Sequence, residues 1–246
     1  MLHVAATPIA TRGYPIRRSG GSERARDAIL GRVPAPTSAP VPRRTADAAD
    51  AGPVLVLAST SPRRRVLLGD AGVPVEVRPA DVDETQRAGE TPAETAARLA
   101  RAKACAVAGR LSGPRRLVLG ADTVVVLGET LFGKPRDAKH SIERLTQLAG
   151  RTHRVITAVA IAESGGDRIW QCSVTSRVTL RALSRDEIER YVALGESLDK
   201  AGGYALQGAG GRLVEHVEGS HSNVVGLPIA ETLALLEHAR SGRMPA

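Results

Sequence analysis

Apolar and polar residues follow two regular spacings after residue 52, and these spacings predict an alternation of strands and helices. Short apolar and β-branched runs predict strands at residues 54–58, 75–78, 117–120, 124–127 and 213–217. Two longer runs, 153–163 and 168–181, flank the turn Ser164-Gly-Gly-Asp167 and predict a hairpin. Helical spacing predicts helices at residues 62–71, 91–109, 137–149, 184–194 and 228–239. A hairpin within this alternation indicates an α/β fold with a mixed sheet.

Three helix ends carry local capping signals. Thr91-Pro-Ala-Glu94 and Ser184-Arg-Asp-Glu187 are capping boxes, in which a hydroxyl and a glutamate satisfy free N–H groups of the first turn. Gly150 follows the helix predicted at 137–149 and suits the left-handed position after a helix end. These helix boundaries are therefore predicted by capping chemistry as well as by periodicity.

Residues 1–52 differ in character from the rest of the chain. Six prolines interrupt this segment and no apolar period is sustained, so we predict a disordered extension followed by one domain over residues 53–242. Arginine and serine near the start suggest an organelle transit peptide, but four acidic residues argue against it. The segment also lacks the apolar core of a secretory signal. A dispensable extension, or a start codon placed too far upstream, is the interpretation we favour.

Composition limits the class of protein. Apolar residues make up 42% of the 246 residues, an ordinary share for a globular protein, and no run reaches the ~18–20 residues of a membrane span. The two cysteines, Cys105 and Cys172, lie far apart, which argues against a disulfide framework or a zinc site and favours the reduced thiols of a cytoplasmic protein. We expect no membrane partner.

The net charge of +8 is unevenly distributed. Residues 1–52 hold eight arginines and four acidic residues, so half of the charge lies in the extension. The remaining charge is modest and fits a site for a polyanionic small molecule. A nucleic-acid-binding protein without catalysis is the main alternative, but aromatic residues for base stacking make up only 2% of the chain. We therefore expect no stable nucleic-acid partner.

The turn Ser59-Thr-Ser-Pro-Arg-Arg64 joins a predicted strand to a predicted helix. Ser61 suits the N-cap and Pro62 the first helical position, so free N–H groups and the helix dipole attract an anion there. Arg63 and Arg64 add planar donor forks that match phosphate oxygens. This turn is consistent with a phosphate-binding site. The alternative is a plain helix cap with solvated arginines.

Asp122 is the second candidate, because it lies between two strongly apolar runs. A buried carboxylate is costly unless it is paired or bound to a cation, which favours a metal ligand or a general base. The alternative is a turn in which Asp122 caps backbone N–H groups, since Gly120 and Gly128 mark bends. Further carboxylates occur in Asp81-Val-Asp-Glu84, where carboxylates with phosphates would suit Mg²⁺. For Asp81 and Asp83 themselves we favour a solvated loop.

Other chemical signals are weak when taken singly. Lys103, Lys134 and Lys200 stand apart from the arginines, but a lone lysine is usually solvated. A Walker A loop, a nucleophile elbow and an HExxH zinc motif are all missing from the sequence. His153 and His221 lack a defensible triad arrangement, and we predict structural roles for both.

Read together, six segments resemble the Maf family of nucleoside triphosphate pyrophosphatases, from about residue 55 to residue 235. The segments are Ala58-Ser-Thr-Ser-Pro-Arg-Arg64, Gly120-Ala-Asp-Thr-Val124, Gly133-Lys-Pro135, Gly150 through His153 and Thr157, Asp199-Lys-Ala-Gly-Gly-Tyr204 with Gln207-Gly208, and Val225-Gly-Leu-Pro228. The resemblance implies an α/β fold, with a mixed twisted sheet, flanking helices and two lobes around a central cleft, similar to the inosine triphosphate pyrophosphatases. A family loop of variable sequence would contain Ser222-Asn223.

The resemblance also implies an activity and its residues. The family cleaves nucleoside triphosphates between the α and β phosphates with a divalent cation, Mg²⁺ or alternatively Mn²⁺. Asp122 matches the proton acceptor, and Glu84 with Asp122 matches the metal-binding positions. The positions that match substrate-binding residues are Ser59, Arg63, Arg64, Lys103, Lys134 and Gln207.

Finally, the resemblance suggests a substrate preference, an oligomeric state and a location in the cell. Arg63, Thr123 and Gln207 resemble the branch that prefers dTTP and UTP, and the amide of Gln207 can both donate to and accept from a pyrimidine edge. The physiological substrate could be an unmodified or a modified pyrimidine nucleotide removed as house-cleaning. A cytoplasmic homodimer is implied, and a link to cell-division arrest stays open.

Overall fold

The computed structural model describes residues 54–242. The disordered extension predicted over residues 1–52 lies outside the described residues. The strands of the described part are β1 (Leu55–Leu57), β2 (Val75–Val77), β3 (Leu117–Leu127), β4 (Thr130–Phe132), β5 (Thr152–Glu163), β6 (Ile169–Leu180) and β7 (Val214–Glu218). Its α-helices are α1 (Pro62–Asp70), α2 (Pro92–Ala108), α3 (Ala138–Leu148), α4 (Arg185–Ala193), α5 (His221–Val225) and α6 (Ile229–Ser241). In residues 54–242 we find no helix with the length and apolar content that a bilayer crossing needs.

The strands form one mixed sheet, in the order β2-β1-β3-β5-β6-β7, with β4 paired to β3. β1 runs parallel to β2 and β3, whereas β5, β6 and β7 continue the sheet in antiparallel pairs. The predicted hairpin between β5 and β6 supplies this antiparallel half. The predicted fold class, a mixed sheet flanked by helices, is confirmed.

Strand β3 has a gap along one edge. β5 pairs with β3 from Leu117 to Val126 and so occupies one edge almost completely. The other edge is shared, because β1 pairs as far as Leu119 and β4 pairs only from Val125 onward. Among residues 54–242, no strand therefore pairs with the backbone between these two pairings on that edge, and Asp122 lies in this stretch.

The sequence predicted two strands where the structure has the single strand β3. Gly120 lies within it rather than at a bend, and its role is close packing. A Cβ atom at Gly120 would lie 2.3 Å from the carbonyl oxygen of Ala100 on α2, a distance that no side chain allows. The alternative in which Asp122 caps a turn is therefore wrong, and the close approach of α2 brings Lys103 beside Asp122.

Two clusters of apolar side chains cover the opposite faces of the sheet near β3. The cluster on the α2 side includes Val56, Ala96, Ala100, Val118 and Ala160. The cluster on the side of α1 and α6 includes Leu57, Leu68, Leu119, Trp170 and Leu235. Burial of each large aliphatic side chain contributes about 1.5–3 kcal/mol, which makes this sandwich a rigid support. Because side chains alternate along a strand, Asp122 faces α2 and Thr123 faces α1.

Most predicted elements are present, with ends shifted by one or two residues. The capping boxes at Thr91 and Ser184 form as predicted, and Gly150 adopts a left-handed φ of 69° after α3. The sequence pattern did not predict β4, α5 and two short 3-10 turns at Ala201–Gly203 and Gly208–Leu213. The predicted loop at residues 222–223 is wrong, since these residues belong to α5. Elements of three to six residues are too short to show a period.

Candidate active site

A cavity of about 440 Å³ opens at the gap between β1 and β4. Its wall combines the turn after β1, the middle of β3 and the loop that follows β4. All of the site residues predicted from the sequence line this one cavity: Ser59, Arg63, Arg64, Glu84, Lys103, Asp122, Thr123, Lys134 and Gln207. The structure therefore brings together groups that are up to 148 positions apart in the sequence.

The turn after β1 is held by the hydroxyl of Ser59. Ser61 is the N-cap residue of α1 and Pro62 its first helical residue, as predicted, but the Ser61 side chain makes no capping hydrogen bond. Instead, the buried hydroxyl of Ser59 accepts a hydrogen bond of 3.2 Å from the Ser61 N–H. The first turn of α1 thus begins beside the cavity without a side-chain cap, which leaves its dipole available to an anion.

Arg64 is fixed by three acceptors from three parts of the chain. Its Nε donates to the carbonyl oxygen of Gly226 at 2.9 Å, one terminal nitrogen to Ser59 Oγ at 3.1 Å, and the other to Thr123 Oγ1 at 3.1 Å. Burial lowers the pKa of Arg64 below its ordinary value, although the charge of Asp122 opposes this effect. The alternative of a freely solvated Arg64 is therefore wrong.

Arg63 lies closer to solvent and is held by an ion pair. Its guanidinium donates to Asp199 Oδ2 at 3.1 Å, and Lys200 binds the other oxygen of that carboxylate. Partial burial raises the pKa of Asp199, but these two cations outweigh burial and bring the pKa below its ordinary value. Lys200 also donates to the carbonyl oxygen of Glu196, so it is not simply a solvated lysine.

Two carboxylates converge on one ammonium group at the centre of the cavity. Lys103 Nζ lies 2.7 Å from Asp122 Oδ1 and 2.6 Å from Glu84 Oε1. The side chains of Lys103 and Asp122 are only 10% and 11% exposed, whereas that of Glu84 is 50% exposed. One buried and one half-exposed carboxylate therefore share a single cation.

Burial and charge shift the pKa values of the two carboxylates in opposite directions. Burial raises the pKa of Asp122 above its ordinary value, against the opposing effects of Lys103 and Arg64. Burial also acts to raise the pKa of Glu84, but the hydrogen bond and charge of Lys103, with Lys134 and Arg64, lower it overall. The shift at Asp122 is thus toward a stronger base, which suits proton transfer, and the shift at Glu84 is toward a more firmly ionised carboxylate.

This donor set fits a cation that is shared with a phosphate ligand. Mg²⁺ prefers one or two carboxylates and takes its remaining ligands from phosphates and water. Glu84 and Asp122 supply two carboxylates that already meet at one positive charge. Within residues 54–242, His, Cys, Asp and Glu form no group of three that could hold a metal ion by themselves. A cage made entirely of protein ligands is therefore absent from this part of the chain.

Lys134 and Gln207 lie on the exposed rim of the cavity. Lys134 follows β4, and Gln207 precedes the 3-10 turn Gly208–Leu213. Neither side chain hydrogen-bonds to any residue of the described part, so both can turn toward a ligand. Their roles in binding remain predictions.

Other residues considered from the sequence do not line the cavity. Asp81 and Asp83 are exposed, and Asp83 Oδ1 accepts a hydrogen bond from the N–H of Thr85, as expected of a solvated loop. His153 is buried, with Nε2 2.5 Å from the hydroxyl of Tyr204, and its position agrees with the predicted structural role. His221 is exposed at the start of α5, and its role stays a prediction.

Several groups that hold the site in place stand in the segments quoted for the family resemblance but were given no role from the sequence. Tyr204 lines the cavity, and the carbonyl oxygen of Gly226 binds Arg64. Thr157 and Asn223 lie behind Thr123. A threonine inside the apolar run of β5 was a visible signal for Thr157, whereas a backbone carbonyl leaves no trace in a sequence.

Comparisons with known proteins show which family this chain resembles. The family model described as "Maf-like protein" matches residues 54–239. The dTTP/UTP pyrophosphatase of Myxococcus xanthus is 55% identical to this chain, covering 76% of the chain and 92% of the relative. Proteins of the same name from Ruegeria sp. and Salmonella typhimurium are 50% and 49% identical over 75% of the chain, covering 93% and 92% of those relatives.

Among solved structures, the Staphylococcus aureus Ham1 protein is similar at 18% identity and a TM-score of 0.38. This match covers 75% of the chain and 98% of Ham1, and it is too weak to support a conclusion. The family match and the curated relatives cover most of the described residues. The chain belongs to the family of Maf-like proteins.

Proposed function

We propose that this protein hydrolyses dTTP and UTP between the α and β phosphates, releasing the nucleoside monophosphate and pyrophosphate. Relatives that are about half identical over most of their length carry the name dTTP/UTP pyrophosphatase. One observation carries the proposal: a buried, basic Asp122 lies in the same cavity as the guanidinium of Arg64 and the start of α1. Such a cavity offers both a proton acceptor and a binding surface for phosphates.

The β and γ phosphates would lie against the start of α1. The free N–H groups of that turn and the helix dipole favour negative charge. Arg64 is held in place by three acceptors, so little conformational entropy is lost when a phosphate binds it. Lys103 and Lys134 also line the cavity and add positive charge.

Asp122 would accept a proton from the attacking water. The contact with Lys103 engages Oδ1, so we expect Oδ2 to take the proton. Burial raises the pKa of Asp122 and strengthens it as a base, while the charge and hydrogen bond of Lys103 oppose this rise. The water then attacks the α phosphorus in line with the departing pyrophosphate.

Glu84 and Asp122 are the residues that would hold Mg²⁺, or alternatively Mn²⁺. When bound, the cation neutralises charge that develops on the phosphate oxygens. Glu84 suits this role because its pKa is lowered, so the carboxylate stays ionised, and because it is half exposed to an incoming ion.

Arg63, Thr123 and Gln207 would set the preference for dTTP and UTP. Gln207 lies on the cavity rim with its amide free of partners in the described part of the chain, so it can read a pyrimidine edge. The family resemblance supports a cytoplasmic homodimer that acts on free nucleotides rather than on nucleic acid or membranes. Size-exclusion chromatography with light scattering tests the dimer.

A nucleotide panel tests the function. The purified protein is incubated with each of the common nucleoside and deoxynucleoside triphosphates, with Mg²⁺, with Mn²⁺ or with a chelator. We expect hydrolysis of dTTP and UTP above the other nucleotides, and none with the chelator. Asp122→Asn should lose roughly 10² or more in kcat, whereas the control Asp167→Asn, which changes an exposed residue between β5 and β6, should behave as wild type. Equal rates for all nucleotides, or activity without a metal ion, would contradict the proposal.

A further inference from the structure

A chain of hydrogen bonds leads from the cavity into the protein behind it. Arg64 donates to Thr123 Oγ1, which lies 2.9 Å from the hydroxyl of Thr157 on β5. Thr157 Oγ1 in turn lies 3.1 Å from the carbonyl oxygen of Asn223 on α5. Thr123 and Thr157 face each other in the strand register, so both side chains lie on the side of the sheet that faces α1.

Chemistry fixes the direction of each hydrogen bond in this chain. A carbonyl oxygen can only accept, so Thr157 donates its proton to Asn223. With that proton used, Thr157 can only accept from Thr123, and Thr123 therefore donates to it. The lone pairs of Thr123 are then left to face Arg64, which has only donors.

Thr157 also contacts the backbone segment that leads to Gly226, a second hydrogen-bond acceptor of Arg64. Its bond to the Asn223 carbonyl ties α5 to the sheet. The Asn223 side chain adds two bonds of 3.0 Å, from Nδ2 to the carbonyl oxygen of Val155 and to Ser176 Oγ. Three residues further on, the carbonyl oxygen of Gly226 accepts from Arg64 Nε. Two of the three groups that accept hydrogen bonds from Arg64 therefore depend on Thr157: Thr123 by direct contact, and the Gly226 carbonyl through α5.

Thr157 cannot contact a substrate itself. Its side chain is fully buried and it is not among the residues that line the cavity. We infer that Thr157 is a positioning residue: its hydroxyl sets the polarity of Thr123 and anchors α5, and so it holds the Arg64 guanidinium in place for phosphate. This inference rests on the proposed nucleotide hydrolysis, and it adds a residue whose action passes through others.

Valine at position 157 tests the hydroxyl while keeping the shape of the side chain. Thr123 then loses its acceptor, and the nearest other acceptor is the Gly226 carbonyl at 3.5 Å, which Arg64 already uses. We expect Thr157→Val to lower kcat for dTTP by about tenfold, with a smaller change in KM, the scale of one well-placed hydrogen bond. Thr157→Ser keeps the hydroxyl and should restore kcat to within about twofold of wild type.

Thr232→Val is the matched control. Thr232 is also a fully buried threonine whose hydroxyl donates to a backbone carbonyl, that of Pro228 at 2.6 Å, but it lies in α6 away from the cavity. We expect this variant to keep wild-type kcat. Thermal unfolding of each variant checks the fold, and Thr157→Ala replaces Thr157→Val if valine prevents folding.

A double-mutant cycle and a binding assay complete the test. The double variant Thr123→Val/Thr157→Val should have a kcat only slightly below that of Thr157→Val alone, because both substitutions interrupt the same chain of hydrogen bonds. Calorimetry with inorganic tripolyphosphate should show binding weakened severalfold by Thr157→Val but unchanged by Thr232→Val. Weakened binding in a protein that does not hydrolyse nucleotides would reject the proposed function and keep the positioning role. A folded Thr157→Val with wild-type kcat and binding, or failure of Thr157→Ser to rescue, would overturn the inference.

Discussion

Lys103 on α2 and Asp122 on β3 form a buried ion pair, with 2.7 Å between Nζ and Oδ1. The pair exists because Gly120 lets α2 approach the sheet closely enough for the lysine to reach the carboxylate. Burial raises the pKa of Asp122 even though Lys103 opposes the shift. The single carboxylate of the pair is therefore more basic than a surface aspartate, although a cation lies in contact with it.

The first prediction concerns Asp122 as the base. Asp122→Asn keeps the shape of the side chain but removes its basicity, and we expect kcat for dTTP to fall by roughly 10² or more, the scale of a positioned general base. Steady-state kinetics with saturating Mg²⁺ measure the change. Circular dichroism should show an unchanged fold. Near-normal turnover in a folded variant would refute the role of Asp122.

The second prediction concerns the energy of the buried pair. Lys103→Met leaves Asp122 without its buried partner, so we expect the free energy of unfolding to fall by about 2 kcal/mol or more. The double variant Lys103→Met/Asp122→Asn should lose at least about 1 kcal/mol less than the two single losses combined, because it leaves no unpaired charge. Urea unfolding at pH 7.5 measures all three variants.

A surface pair provides the control for that cycle. Arg185 and Glu189 form an ion pair of 2.7 Å on α4, with side chains 79% and 44% exposed. We expect a coupling of about 0.5 kcal/mol or less there, because water screens the charges. Equal coupling in the two cycles would show that the Lys103–Asp122 pair behaves as a surface contact.

The third prediction concerns recognition of the base. Gln207→Glu removes the donor of the amide and adds a charge on the rim of the cavity, so the ratio of kcat/KM for dTTP to that for GTP should fall by about tenfold or more. Gln147→Glu, an exposed change on α3, is the matched control. An unchanged ratio in Gln207→Glu would mean that Gln207 does not read the base.

The fourth prediction concerns stability at low pH. Burial lowers the pKa of His153 from 6.5 to about 4 in the folded protein. Protonation is therefore easier in the unfolded chain, and stability that is fully present above pH 6.5 is lost as the pH falls toward 4. Between pH 7.5 and 4.5 we expect wild type to lose roughly 2 kcal/mol more unfolding free energy than His153→Gln, which cannot be protonated.

Urea unfolding at the two pH values measures this difference. His216→Gln, a change of an exposed histidine on β7, should keep the full wild-type pH dependence. The assignment to His153 fails if His153→Gln loses as much stability at low pH as wild type does.

The sequence predicted Asp122 because the signal was local. A carboxylate between two apolar runs is costly without a partner, and the close match of the surrounding segment to a family motif agreed with this interpretation. The long strands β5 and β6 were predicted for the same reason, since two long apolar and β-branched runs flank a local turn signal.

Features that depend on distant contacts were not predictable in this way. Gly120 was interpreted as a bend, because the sequence does not show that a helix packs against it. Ser61 is the N-cap residue of α1 but its hydroxyl makes no capping hydrogen bond, and the contact of its N–H with Ser59 Oγ could not be read from the sequence. Thr157 and Asn223 are 66 positions apart, so their bond follows only from the folded sheet.

Hydrolysis of dTTP in water enriched in ¹⁸O tests the central claim most directly. If the water attacks the α phosphorus, one ¹⁸O atom enters dTMP and the released pyrophosphate carries none, which mass spectrometry of the products resolves. We predict label in dTMP and pyrophosphate as the only other product. Label in pyrophosphate, or release of orthophosphate with dTDP, would contradict the account.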